Sequence, residues 1–227
     1  MVDFEQIKGF VFDLDGVIAN TSAYHAKAWH QLADELGVEW TDDLANQLKG
    51  VGRMDSLNLI LKSGGKENDY TEDEKKKFAA EKNDNYLKLL ETLDSSEILP
   101  GMGEFIKDIS ERHYLISLAS SSKNSPRVLE KLNLAKYFNE RVDPATLKHG
   151  KPDPEIYRRG AEILNLKPEE CIGLEDAIAG VKSINGAGET SLGIGDSKLL
   201  HEADIIFKDT SQVTLENIKN AMLIPSR

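Results

Sequence analysis

Eight residues, Phe10-Val11-Phe12-Asp13-Leu14-Asp15-Gly16-Val17, constrain this chain more than any other stretch. Three apolar residues behind Gly9 read as a fully buried strand. The strand then runs into two carboxylates one residue apart and a glycine that lets the backbone turn sharply. In an extended chain residues i and i+2 point the same way, so Asp13 and Asp15 would crowd like charges unless a cation or the turn separates them. A divalent metal ion is the natural remedy. An isolated Asp-x-Asp-Gly could also do no more than cap a strand-to-helix turn, so the rest of the chain has to decide.

Four helices are expected next, over residues 21–36, 41–48, 53–62 and from Thr71 onward. Gly37 and Gly64-Gly65 act as stops, and Thr71-Glu72-Asp73-Glu74 has the form of a capping box. From Leu99-Pro100-Gly101 the rhythm changes to alternating helices and strands. Strands are expected at 114–119, 171–174, 190–194 and 203–207. Helices are expected at 102–112, 125–132, 154–164, 177–185 with a stop at Gly186, and 215–222. Such alternation predicts an α/β fold with a parallel sheet covered by helices. The helical block interrupts it as an insertion, which gives a core of residues 1–18 and 94–227 and a helical cap of residues 19–93. Sheets of this kind bind ligands beyond the carboxyl ends of their strands, where Asp13 and Asp15 fall.

Further polar clusters sit at the same kind of place. The second strand leads into Ser120-Ser121-Ser122-Lys123-Asn124, a set of hydroxyls and amides before a helix that could receive a phosphate or merely cap the helix. Lys151-Pro152-Asp153-Pro154 puts a lysine just ahead of another helix, and Gly173-Leu174-Glu175-Asp176 ends a strand on two acids. Each cluster alone has a bland reading. Four together, each after a strand or before a helix, point to catalysis.

The motif Asp13-Leu14-Asp15-Gly16-Val17, with Ser120, Lys151-Pro152 and Glu175-Asp176 following in order, resembles the haloacid dehalogenase-like phosphotransferases over the whole chain. The resemblance implies a Rossmann-like parallel core with an inserted helical cap. It implies that Asp13 attacks phosphorus to form an aspartyl phosphate and that Asp15 is general acid and base. It assigns phosphoryl binding to Ser120 and Lys151, and Mg²⁺ to Asp13, the carbonyl of Asp15, and Asp176, with Glu175 in support. The chemistry suits the residues: a carboxylate divides phosphoryl transfer into two displacements, and a second carboxyl protonating the leaving oxygen contributes roughly 10²–10⁴-fold.

Substrate choice is expected to lie in the cap. Thr21, His25 and Trp29 fall at i, i+4 and i+8, one line along a helix, though Trp29 could simply pack in the cap core. Lys49-Gly50-Val51-Gly52-Arg53 sets two cations around a glycine-broken turn, where an arginine could grip a second, non-transferring phosphate. Lys82 opens a further polar run through Tyr86. Within the family these residues resemble the sugar-phosphate mutases, and Ser121, Ser122, Lys123 and Asn124 match positions near the substrate; Asn20 and Ser121 depart from the familiar pattern. That resemblance implies interconversion of β-glucose 1-phosphate and glucose 6-phosphate, with β-glucose 1,6-bisphosphate as intermediate and activator. A phosphatase of small sugar phosphates on the same scaffold is the alternative, and a non-catalytic phosphosugar-binding regulator a more distant one.

A formal charge of −11 and a pI near 5.0 argue against nucleic-acid and anionic-membrane partners. Cys171 is the only cysteine, so no internal disulfide can form. With no apolar run approaching the ~20 residues of a membrane span and no signal-peptide pattern at residues 1–5, the expectation is a cytoplasmic monomer.

Overall fold

The computed structural model describes residues 3–223. Six strands, β1 (Gly9–Phe12), β2 (Leu115–Leu118), β3 (Glu140–Arg141), β4 (Cys171–Glu175), β5 (Thr190–Ile194) and β6 (Ile205–Phe207), form one sheet in the order β3-β2-β1-β4-β5-β6. Every pairing is parallel. Nine α-helices lie among the described residues: α1 (Thr21–Glu35), α2 (Asp42–Gln47), α3 (Arg53–Ser63), α4 (Glu72–Leu89), α5 (Met102–Glu111), α6 (Ser125–Lys131), α7 (Glu155–Ile163), α8 (Ile178–Ala187) and α9 (Leu215–Met222).

β1 is central because it can be covered on both sides. Phe10 and Phe12 face a cluster that includes Phe105 and Ile109 of α5, Val128 and Leu129 of α6, and Ile218 of α9. Val11, pointing the other way as strand alternation requires, packs with Ile156 and Tyr157 of α7 and Ile184 of α8. All three strand residues are fully buried, and each phenylalanine contributes about 1.5–3 kcal/mol by leaving water.

The chain winds to one side of β1 through β2 and β3, then crosses to the other through β4, β5 and β6. The switch between the two directions opens a crevice at the carboxyl end of β1. Register places Phe12 opposite both Leu118 and Leu174. Asp13, Ala119 and Glu175 therefore emerge side by side.

The helical block has a core of its own, built by Trp29, Leu32, Leu44, Leu57, Ile60 and Ala79 among others. Ala28, Tyr86, Leu90 and Leu93 pack instead with the sheet-side cluster. Its two connections run side by side: the Asn20 amide donates to the Glu97 carbonyl at 2.9 Å and the Leu99 amide to the Ile18 carbonyl at 3.0 Å.

Two local expectations are corrected. β3 is a strand beyond those expected from the sequence, two exposed edge residues, a pair too short to show alternation. Helix α8 does not stop at Gly186 but runs to Ala187 and ends on Gly188, whose φ of +88° is the left-handed conformation that closes a helix.

Candidate active site

Asp13 leaves β1 into a buried ionic cluster. Its Oδ1 is 2.7 Å from Lys151 Nζ, and the same ammonium reaches Glu175 Oε1 at 2.5 Å. The Tyr157 hydroxyl donates to Glu175 Oε1 at 3.2 Å and to the Leu174 carbonyl at 3.1 Å. The other Glu175 oxygen accepts the backbone amides of Asp176 and Ala177. Burial alone would push Lys151 down, but Asp13 and Glu175 outweigh it and hold the ammonium charged. Burial pushes the Asp13 carboxyl up, and Lys151 opposes it.

Carboxylate oxygens of Asp13, Glu175 and Asp176 lie within 4.8 Å of one another. Three acids against one buried lysine leave a surplus of negative charge. In response Asp176 is pushed up to about 7, by burial first and the Glu175 carboxylate second. Lys49 stands 3.9 Å away from Asp176 and is partly exposed.

Asp15 does not point the same way as Asp13. The strand ends at Phe12, the backbone turns, and the Asp15 carboxyl swings toward the cap, where Thr21 donates to it at 2.6 Å and His25 Nε2 lies 3.6 Å off. The expected crowding of the pair is thus relieved by the turn. Among the described residues, only Asp13, Glu175 and Asp176 bring their side chains into the acidic cluster. Burial raises the Asp15 carboxyl against the pull of the Thr21 bond.

The line of Thr21, His25 and Trp29 exists along α1. Thr21 is fully buried, His25 stacks on Tyr86 with ring centres 3.9 Å apart, and Trp29 packs in the cap core with its ring 4.6 Å from Lys82 Nζ. Lys82 also reaches His25 Nδ1 at 2.7 Å. Burial first, then Lys82 and Arg53, depress His25 well below its ordinary value, so the imidazole is neutral. Its Nδ1 accepts from Lys82, which leaves the ring proton on Nε2, facing Asp15. Lys82 itself is brought down to about 7 by burial and by Arg53.

Across the cavity, Arg53 Nη2 donates to Asn83 Oδ1 at 2.6 Å, and Asn124 Nδ2 donates to the same oxygen at 2.9 Å. Asn83 thereby joins the cap arginine to the loop after β2. Ser120 is buried, with its hydroxyl accepting the Ser122 amide at 3.1 Å. Ser122 turns back on the Asn124 amide at 3.3 Å, so the polar loop caps itself. Ser121, expected against substrate, gives its hydroxyl to the Gly50 carbonyl at 2.8 Å. Lys123, Lys49, Gly50 and Val51 line the same cavity of about 620 Å³ as Asp13 and Asp15.

The structure therefore gathers Asp13, Lys151, Glu175 and Asp176 in one buried cluster and sets Asp13, Asp15, His25, Trp29, Lys49, Arg53, Lys82 and Ser121 to Asn124 around one cavity, while Ser120 bonds within its own loop. Asn83 and Tyr157 are additions. Asn83 sits in the polar run after Lys82 and had a weak signal there; Tyr157, on a helix otherwise read as packing, had none.

Residues 7–188 match the haloacid dehalogenase-like hydrolases. The chain is similar to the β-phosphoglucomutase of Bacillus subtilis, 39% identical over 210 residues that cover 92% of this chain and 93% of that protein. It is also similar to the phosphorylated carbohydrates phosphatase of Thermotoga maritima, 30% identical over 207 residues, with 88% and 93% covered. The crystal structure of a β-phosphoglucomutase from Clostridium difficile superposes with a TM-score of 0.91 at 39% identity, covering 95% of this chain and 96% of that one.

Proposed function

The chain belongs to the haloacid dehalogenase-like hydrolase family, and from that premise we propose that it is a phosphoglucomutase interconverting β-D-glucose 1-phosphate and D-glucose 6-phosphate. The observation that carries this reading is one cavity lined at one place by Asp13 and at another by the cap cations Lys49, Arg53 and Lys82. Lys151 stands beside Asp13 in the core, and Arg53, steadied by Asn83, belongs to the cap. A phosphatase of simple monoesters needs only the first.

In the proposed cycle a carboxylate oxygen of Asp13 attacks the phosphorus of β-glucose 1,6-bisphosphate. The bond from phosphorus to the sugar oxygen breaks, Asp15 gives that oxygen its proton, and the aspartyl phosphate remains with a sugar monophosphate. In the reverse sense Asp15 takes the proton of the 6-hydroxyl of β-glucose 1-phosphate as that oxygen attacks the phosphorylated aspartate. Between the two transfers the bisphosphate exchanges ends. Thr21 orients Asp15 for both directions, and Arg53 with Lys82 holds the phosphate that is not being transferred. Lys151 and the Ser120 hydroxyl attend the transferring group, whose reaction depends chiefly on positioning and electrostatics.

The acidic cluster fits a magnesium ion. Its donors are all hard oxygens and it has more carboxylates than cations. Because Glu175 already accepts from Lys151, Tyr157 and two amides, Asp13, Asp176 and the Asp15 carbonyl would hold the ion and Glu175 would support them. Bound there, Mg²⁺ supplies positive charge to the phosphoryl oxygens.

We further propose a core of residues 1–18 and 94–227 and a cap of 19–93, working as a monomer, since one chain supplies the whole constellation. A cytoplasmic location accords with the free, buried Cys171. No helix among the described residues is long and apolar enough to cross a membrane.

The test supplies β-glucose 1-phosphate, Mg²⁺ and a trace of β-glucose 1,6-bisphosphate, and follows glucose 6-phosphate and free phosphate together. Isomer in excess of phosphate is expected. Stoichiometric phosphate without isomer would replace the mutase by a phosphatase, and faster turnover of the α anomer would overturn the substrate.

A further inference from the structure

Besides the Thr21 bond to Asp15, the side-chain contacts that join the cap to the loops of the core at the mouth of the crevice include three more. Lys49 faces Asp176 at 3.9 Å, Asn124 donates to Asn83 at 2.9 Å, and Ser121 Oγ donates to the Gly50 carbonyl at 2.8 Å. The first two use groups that a ligand competes for. Asp176 is where a cation would bind, and Asn83 is bonded to the arginine that would grip a phosphate. The third joins a hydroxyl to a backbone carbonyl, and neither has a part in the proposed transfer.

Its placement gives it leverage. Gly50 has a φ of +71°, open to glycine far more readily than to other residues. A β-carbon there would lie 3.4 Å from Ala177 Cβ, 3.8 Å from Lys151 Cδ and 3.9 Å from Glu175 Oε1. The cap loop thus rests directly on the lysine and glutamate that flank Asp13. The same five-residue loop carries Lys49 and Arg53. Pinning its centre fixes both cations over the cavity.

We propose that Ser121 is a positioning residue, a clasp on the Gly50 carbonyl that biases the cap shut whether or not a phosphate is bound, and so governs how phosphorylated Asp13 divides its phosphoryl group between sugar and water. The inference rests on the mutase reading for its chemical consequence. In the competing reaction a water oxygen bonds to phosphorus as Asp15 takes its proton, the bond from phosphorus to the Asp13 oxygen breaks, and inorganic phosphate leaves with the Asp13 carboxylate restored. A single neutral hydrogen bond shifts such an equilibrium by roughly three- to tenfold. That is enough to suppress hydrolysis without locking the cap.

The test compares the full-length protein with Ser121→Ala and Ser121→Thr. With β-glucose 1-phosphate, Mg²⁺ and trace β-glucose 1,6-bisphosphate, S121A is expected to release roughly three- to tenfold more free phosphate per glucose 6-phosphate formed, and S121T to return toward the original ratio. In the substrate-free protein, amide exchange across residues 49–53 should quicken by a similar factor in S121A at matched melting temperature, and slow again in S121T. A ratio and an exchange rate unchanged in S121A would overturn the clasp, as would S121A and S121T behaving alike. If no variant forms glucose 6-phosphate, the mutase reading fails, and the exchange measurement still decides the clasp.

Discussion

Lys151 Nζ lies 2.7 Å from Asp13 Oδ1, with both side chains shut away from water. Glu175 holds the same ammonium from the other side, so one lysine answers two buried carboxylates. Such a group shapes stability as much as chemistry. Breaking a buried ion pair from one side leaves charge without a counterion and costs about 3–5 kcal/mol. Lys151→Ala should therefore lower the melting temperature by on the order of 10 °C as well as abolish turnover. Added Mg²⁺ should recover part of the loss in a thermal melt, because a second cation can answer the same acids. A melt unchanged by the substitution would mean that the pair is not sealed from solvent.

The division of labour between the two aspartates gives a second expectation. Asp13→Asn should prevent any stable mass gain of one phosphoryl group after incubation with β-glucose 1,6-bisphosphate, and should cut isomerisation by at least about 10³-fold. Asp15→Asn keeps the nucleophile and removes the proton donor. Its isomerisation should fall by about 10²–10⁴-fold, with the phosphorylated form still detectable by mass. Equal behaviour of the two variants would contradict their separate surroundings, one bonded to Lys151 and the other to Thr21.

Those surroundings also show what could be read from the chain alone. Asp13, Ser120, Lys151 and Glu175-Asp176 were legible because each follows an apolar strand or precedes a helix, and a parallel sheet brings such ends to one edge. Local patterning says nothing of partners far along the chain. Ser121 meets Gly50 across 71 residues and Asn124 meets Asn83 across 41. β3 leaves no pattern in the sequence because Glu140 and Arg141 are exposed and too few to alternate. The end of α8 is ambiguous in the sequence because Asn185-Gly186-Ala187-Gly188 offers two glycines. Only the backbone shows which of them takes the positive φ.

Lys82 should make substrate affinity depend on pH. Burial, then Arg53, bring its ammonium down to about 7, so in the ligand-free protein it loses its proton as pH rises through neutrality. A phosphate held there favours the charged form, and above pH 7 binding must take up that proton. The KM for β-glucose 1,6-bisphosphate should rise by up to about tenfold per pH unit beyond that point. The lowered value also means that the folded chain binds fewer protons than the unfolded one, so this residue favours folding increasingly between about 7 and 10.5. Lys82→Met should raise KM at pH 6.5, on the order of tenfold, and flatten its climb with pH. A climb that survives in the variant would belong to another group.

Glu189 gives the last expectation, because nothing in the proposed chemistry uses it. It precedes β5, is almost wholly buried, and neither carboxyl oxygen has a hydrogen-bond partner among the described residues. Burial accordingly lifts its carboxyl well above the ordinary value of 4.5, and the neighbouring Cys171 thiol is raised by its own burial and then by this glutamate. Below pH 4.5 the group is protonated both folded and unfolded, and stability does not respond to it. As pH rises further the unfolded chain releases the proton while the folded one keeps it. Folding then loses about 1.4 kcal/mol per pH unit until the folded carboxyl also ionises. Glu189→Gln has no proton to lose, so its advantage in melting temperature over the parent should widen as pH rises above 4.5. A difference that stayed level across that range would require a partner or a charge on Glu189 that the structure does not give it.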